Sequence, residues 1–351
     1  MAGSGERSPP PSGPESPARS RKLFAEIAEQ ALPYRSRALR VGDWDLCYLD
    51  EGPYKGRGPR VDGGPRDGDS TAETLLCVHG NPTWGFYWRR LVERFAAGRR
   101  VVAVDHLGCG RSDKPPRTAF PYTMEAHRDN LLRLIDGANL DRITLVAHDW
   151  GGAIGLSALM ERRERFRRIV LLNTGAFPPP YVPWRIAACR FPGLGTLAVR
   201  GANAFARGAI RMAMSRTVMA PDVARGLLAP YRNWAERVAI DGFVRDIPLS
   251  TRHPTYAALA RLETGLASLA DFPSLLVWGM RDWCFRPECL RRFRAVWPDA
   301  RTVEIGDAGH YVMEDAPDEV LRAIAEFLDP AGGGVITAAA RGEHSAGDAT
   351  A

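Results

Sequence analysis

The sequence predicts an α/β protein: a mostly parallel, doubly wound sheet with a helical cap inserted between its two halves. Three observations carry this. Short apolar runs that end in glycine or a carboxylate alternate with stretches of helical spacing from residue 74 onward. Those runs are apolar throughout rather than at every second position, as in strands buried on both faces. The alternation then lapses between residues 178 and 270 and resumes afterwards.

RALRVG and DLCYLDEG read as two opening strands. The segment 53–73 is dense in Gly, Pro and Asp and reads as a flexible surface loop. TLLCVHG is a buried strand, YWRRLVERFAAG a helix, RVVAVDHLG a strand and YTMEAHRDNLLRLIDGANL an amphipathic helix. RITLVAHD, WGGAIGLSALMERRERF and RRIVLLNTGAF continue as strand, helix and strand. After the gap come PSLLVWGMRD, PECLRRFRAVW, ARTVEIGDAGH and PDEVLRAIAEFL, again alternating strand and helix. The expected organisation is a disordered tail over 1–22, a core over 23–177, a helical cap over 178–270, the rest of the core over 271–330, and a second disordered tail over 331–351. A cap inserted there would sit over the carboxyl ends of the strands, where such sheets bind ligands.

The 351 residues, 45% hydrophobic and 25% charged, suit a globular protein with a sizeable core. A net charge of +6 comes from arginines spread among acidic residues, which reads as a solvated surface and not as a nucleic-acid site. Six cysteines without a CxxC pair read as free thiols. The first 22 residues lack the apolar core of a signal peptide, so the expected location is the cytoplasm. No metal site and no cofactor is expected. DHLGCGRSD lacks the third glycine of a dinucleotide fingerprint and reads as a tight structural loop.

The chemistry centres on LVAHDWGGAIG. A nucleophile elbow is a sharp strand-to-helix turn flanked by small residues, and its pattern usually presents serine. Here the position holds Asp149, between Ala147 and the pair Gly151, Gly152. A helix N-cap is the simpler role for such an aspartate. The rest of the chain favours the elbow. His310 follows the last strand, in DAGHYVMED, where an α/β-hydrolase carries its base. Asp282 follows the preceding strand and could fix the imidazole tautomer, with Asp307 as a weaker competitor. The order Asp149, Asp282, His310 is that of a nucleophile, acid and base triad. Asn81, in the loop after TLLCV, and Trp150, next to the nucleophile, supply donors for an anion.

HGNPTW, DHLGCGRSDKP, HDWGG, LLNTGAF, WGMRD and AGHYVMEDAP together resemble the haloalkane dehalogenase family over roughly residues 74–328. That resemblance implies attack of the elbow aspartate on an sp3 carbon, with Asn81 and Trp150 holding the leaving halide. The gap segments PWRIAACRFPGLGTLAVRGANAF, APYRNWAERVAIDGFVRDIPL and HPTYAAL resemble the β-lactone decarboxylases of bacterial olefin biosynthesis. That implies a small hydrophobic substrate, a cis-3,4-dialkyl β-lactone, converted to a cis-alkene and CO2. It also implies assembly with other olefin-pathway enzymes, and it admits a homo-oligomer. Competing readings are an epoxide hydrolase using Tyr181, Tyr231 or Tyr256 to polarise an epoxide, and a non-catalytic lipid-binding scaffold. The Arg-bearing apolar segment 184–216 reads as cap helices facing the core on one side, with contact to a membrane as the alternative.

Overall fold

The computed structural model describes residues 32–34, 36–53 and 73–330. The two expected tails and most of the expected loop at 53–73 lie outside them. Eight strands form one sheet: β1 (Ser36–Val41), β2 (Trp44–Glu51), β3 (Thr74–Val78), β4 (Arg100–Val104), β5 (Ile143–Asp149), β6 (Phe166–Thr174), β7 (Ser274–Gly279) and β8 (Arg301–Ile305). Their spatial order is β1-β2-β4-β3-β5-β6-β7-β8. β1 and β2 form an antiparallel edge, and from β4 to β8 every neighbouring pair is parallel.

This order explains the apolar runs. β3, β5 and β7 are buried at every position because helices cover both faces. Edge strand β8 instead exposes Arg301 and Glu304, charges that discourage pairing with another chain. The helix Trp150–Glu161 is apolar nearly all round and packs between β5, β6 and the helix Met124–Gly137.

The chain leaves β3 for β4 on one side and returns to β5 on the other. The carboxyl ends of β3 and β5 therefore flank a topological switch point, the usual ligand crevice of such sheets. Over them lies the segment 178–270, which is helical: Trp184–Ala188, Leu194–Thr196, Ala204–Met212, Pro221–Leu228, Val238–Asp246 and Pro254–Gly265. The last of these returns to the sheet's own helices, burying Leu259 and Leu262, with Arg261 pairing to Glu125.

DHLGCGRSD is a structural knot. Asp105 accepts the N–H of Gly85 at 2.6 Å and that of Arg111 at 2.9 Å, while Ser112 Oγ donates to the Asp105 carbonyl. Among the described residues no helix is long and apolar enough to cross a membrane.

Candidate active site

Asp149 ends β5 with φ at +54°, a left-handed conformation that a non-glycine residue adopts at a cost of order 1–3 kcal/mol. The turn is held by its neighbours. Thr174 Oγ1 donates to the Asp149 carbonyl. A Cβ at Gly151 would stand 2.0 Å from the carbonyl oxygen of Val78, and one at Gly80 would stand 2.0 Å from Asp149 Oδ1. Glycine at both places is what lets the β3 loop approach the elbow. Asp149 occupies an N-cap position, yet its side chain makes no capping hydrogen bond. The carboxylate is turned to the site: the backbone N–H of Asn81 donates to Oδ1 at 2.7 Å, and Oδ2 lies 3.5 Å from His310 Nε2.

His310 Nδ1 donates to Asp282 Oδ2 at 2.9 Å. Asp282 is itself fixed on both oxygens, accepting the Cys284 N–H at 2.6 Å and the Asn173 amide at 3.0 Å. Asn173 also clasps Gly279 at the end of β7, donating to its carbonyl and accepting its N–H. Asp307 is exposed and bonded to Arg216, so geometry makes Asp282 the partner of His310.

Burial alone would push the His310 imidazole down. The two carboxylates, Asp282 foremost, outweigh it and hold the ring up at about 10. Burial likewise works against the Asp149 carboxylate, but the hydrogen bond and charge of His310 win and its pKa falls below the usual value. Both shifts favour a protonated imidazole beside an ionised Asp149. His148, beside it, is different: burial and the nearby His310 charge drive it down to about 3, so it is a neutral ring whose Nε2 meets the His310 carbonyl at 2.9 Å.

Above Asp149 opens a cavity of about 380 Å³. Asn81, Trp150 and His310 line its floor with Asp149, and apolar side chains such as Phe177, Ile186, Phe205 and Leu259 line much of the rest. Asn81 is buried; its Nδ2 donates to the Ile240 carbonyl at 3.3 Å and its Oδ1 has no partner among the described residues. Of the cap tyrosines, Tyr181 donates its hydroxyl to the carbonyls of Trp283 and Cys284, and Tyr231 donates to that of Thr83. Neither hydroxyl is free to polarise an epoxide.

Sequence reasoning missed three supports. Asn173 and Thr174 stand in LLNTG at the carboxyl end of β6, a position that could have flagged them. Asp315 carries no sequence signal. Its carboxylate accepts the N–H groups of Ser215, Arg216 and Thr217 from the cap and of Gly309 beside the base. Tyr311 N–H adds a bond to the Ala213 carbonyl. The cap is therefore stitched to the loop that carries His310.

Comparison with known proteins agrees with this fold. A family model described as alpha/beta hydrolase fold matches residues 73–317. A cis-3-alkyl-4-alkyloxetan-2-one decarboxylase of Shewanella oneidensis is 39% identical over 86% of this chain and 91% of that protein. Its counterpart in Xanthomonas campestris is 39% identical over 81% and 92%. Haloalkane dehalogenase 2 of Mycobacterium tuberculosis is 33% identical over 85% and 96%. Among solved structures, haloalkane dehalogenase DpaA of Paraglaciecola agarilytica superposes with TM-score 0.68 at 26% identity, covering 88% of this chain and 96% of that one. With elbow, sheet order and sequence in agreement, the chain belongs to the α/β-hydrolase family, in the group that holds the oxetan-2-one decarboxylases and haloalkane dehalogenases.

Proposed function

We propose that this enzyme decarboxylates cis-3-alkyl-4-alkyl β-lactones to cis-alkenes and CO2, with Asp149 as nucleophile. The observation that carries the reading is an ionised carboxylate at the floor of an apolar cavity, with one oxygen held and the other presented. The greater identity to the decarboxylases than to the dehalogenases supports the lactone as substrate.

The step balances without added water. Asp149 Oδ2 attacks C4 with inversion, the C4–O bond of the strained ring breaks, and the ring oxygen leaves as part of a carboxylate on C3. The C3–carboxylate bond then breaks, its electrons form the C3=C4 double bond, and the C4–Oδ2 bond returns its pair to Asp149. Inversion followed by anti elimination carries a cis-lactone to a cis-alkene. No proton moves. His310 serves throughout as a positive counter-ion, and with the Asn81 N–H it makes Asp149 a good leaving group. Asp282 orients it and keeps it charged.

A second reading, hydrolysis of a carbon–halogen bond, is favoured by one observation: Asn81 and Trp150 both line the cavity floor beside Asp149. One of the two side-chain amide N–H groups of Asn81 is engaged by the Ile240 carbonyl, which leaves one donor for a leaving group in either reading. Product analysis separates the two. Purified enzyme given a cis-dialkyl β-lactone and, separately, a 1-bromoalkane should release alkene and CO2 from the first. Bromide and alcohol from the second, with the lactone untouched, would return the protein to the dehalogenases.

A further inference from the structure

The cap carries an apolar surface that is exposed among the described residues. Trp184 is 74% exposed, Phe191 60%, Leu194 64% and Leu197 59%. Leu197 and the half-exposed Trp234 both stand beside Gly201, so the exposed apolar side chains extend beyond one helix. The opposite side of the same segment is buried through Ile186, Gly195 and Val199, as expected of cap helices. Large apolar side chains gathered this way on a surface mark a contact site.

Its charge says what the contact is. From residue 178 to residue 221 the chain has six arginines and no Asp or Glu. Arg185, Arg207 and Arg211 are exposed, and no carboxylate among the described residues pairs with them. Trp184 and Arg185 also line the cavity that ends at Asp149, with the Arg185 guanidinium against the Trp184 and Trp283 rings. The surface is therefore continuous with the mouth of the active site.

We propose that this cap face docks on an anionic lipid bilayer and that the cavity takes its substrate from the lipid. Exposed aromatic and leucine side chains interleaved with arginines match a headgroup layer, where the former enter the acyl boundary and the latter meet phosphates. A second copy of the chain is a poorer occupant. A two-fold contact would set the arginine-bearing face against itself, like charge on like. The role of the surface rests on the lactone reading, since a dialkyl lactone and its alkene partition into lipid. Docking itself is measurable without any substrate.

The test is flotation of the full chain with phosphatidylglycerol-containing vesicles and with pure phosphatidylcholine vesicles, at low and high salt. Two variants accompany it: Phe191→Ser/Leu194→Ser/Leu197→Ser and Arg207→Gln/Arg211→Gln, none of which lines the cavity. The wild type should float with the anionic vesicles at low salt and not with the zwitterionic ones. Each variant should float roughly tenfold less, while turning over detergent-dispersed lactone at the wild-type rate. Wild-type protein that stays in the soluble fraction, or floats equally with both lipids, overturns the proposal. So do variants that float as well as wild type. A triple-serine variant that differs only in converting a dimer to a monomer by light scattering would give the face to a second copy. Failure of lactone turnover with flotation intact would instead count against the proposed reaction alone.

Discussion

The backbone N–H of Asn81 holds Oδ1 of Asp149 at 2.7 Å, which divides the carboxylate into a held oxygen and a reactive one. Oδ2 faces His310 and the cavity floor. The held oxygen is where negative charge would grow if water attacked an Asp149 ester, so the same contact can serve elimination or hydrolysis. Which one follows depends on what the ester carries.

That choice gives a prediction for His310→Gln. A lactone-derived ester carries its own carboxylate and collapses without water, so alkene formation should slow but persist. A 1-bromoalkane ester has no such exit and needs the imidazole to activate water. Under the dehalogenase reading, and only there, the variant would release one equivalent of bromide and stop, with an alkyl mass added to the Asp149 peptide. Steady bromide turnover by His310→Gln would refute the assignment of the base.

Isotope uptake reads the same fork in the wild type. Single turnover of lactone in oxygen-18 water should leave the Asp149 carboxylate unlabelled, because no water attacks its carbonyl. Label in the Asp149 peptide would show that lactone is hydrolysed through the enzyme ester.

The pH profile follows from the imidazolium. His310 is raised from its ordinary value of 6.5 to about 10 in the folded protein. A raised group stabilises the fold fully below its unfolded pKa, and that contribution is lost as pH rises through the folded value. Alkene formation should accordingly hold steady through neutral pH and fall as pH approaches about 10, where the counter-ion is discharged. Thermal unfolding of wild type and His310→Gln should converge over the same alkaline window. A wild-type rate that climbs steadily with pH would mean that the neutral imidazole is the working form.

Asn173 tests the positioning of the acid. Asn173→Ala leaves Asp282 short of one bond and Gly279 of two, which should cost about 1–3 kcal/mol in chemical denaturation. It should also lower kcat by roughly tenfold to a hundredfold through misplacement of the imidazole. Unchanged kcat in a folded variant would mean that the Cys284 N–H alone suffices to hold Asp282.

Asp315→Ala should loosen the cap. Its carboxylate takes four backbone N–H groups, three from the cap loop at 215–217 and one from Gly309. A rise in KM with lowered stability is expected, since both the roof of the cavity and the base loop lose their shared anchor. An effect on stability with KM and kcat untouched would confine Asp315 to the fold.

How far the sequence reached follows from the physics of each part. The buried strands were legible because a strand covered on both faces must be apolar throughout, as β3, β5 and β7 are. Asp149, Asp282 and His310 were legible because each stands at or just beyond the carboxyl end of a strand, and those ends meet at one edge of a parallel sheet. Asn173 ends a strand too, but its role is to bridge β6 and β7, a relation of register and not of local pattern. Asp315 was illegible, since three of its four partners lie about a hundred residues away in the cap. The clash-close glycines at positions 80 and 151 read as small residues without revealing what they approach. The exposure of the cap's apolar face was likewise hidden, because helical spacing gives a stripe but not the side that is covered.

The most direct test of the account is alkene yield from a cis-dialkyl β-lactone with wild type and Asp149→Ala side by side. Alkene and CO2 from the wild type, reduced by roughly 10⁴-fold or more in the variant, is the predicted result. Alkene formation that survives loss of the Asp149 carboxylate, or a wild type that leaves the lactone intact, would contradict it.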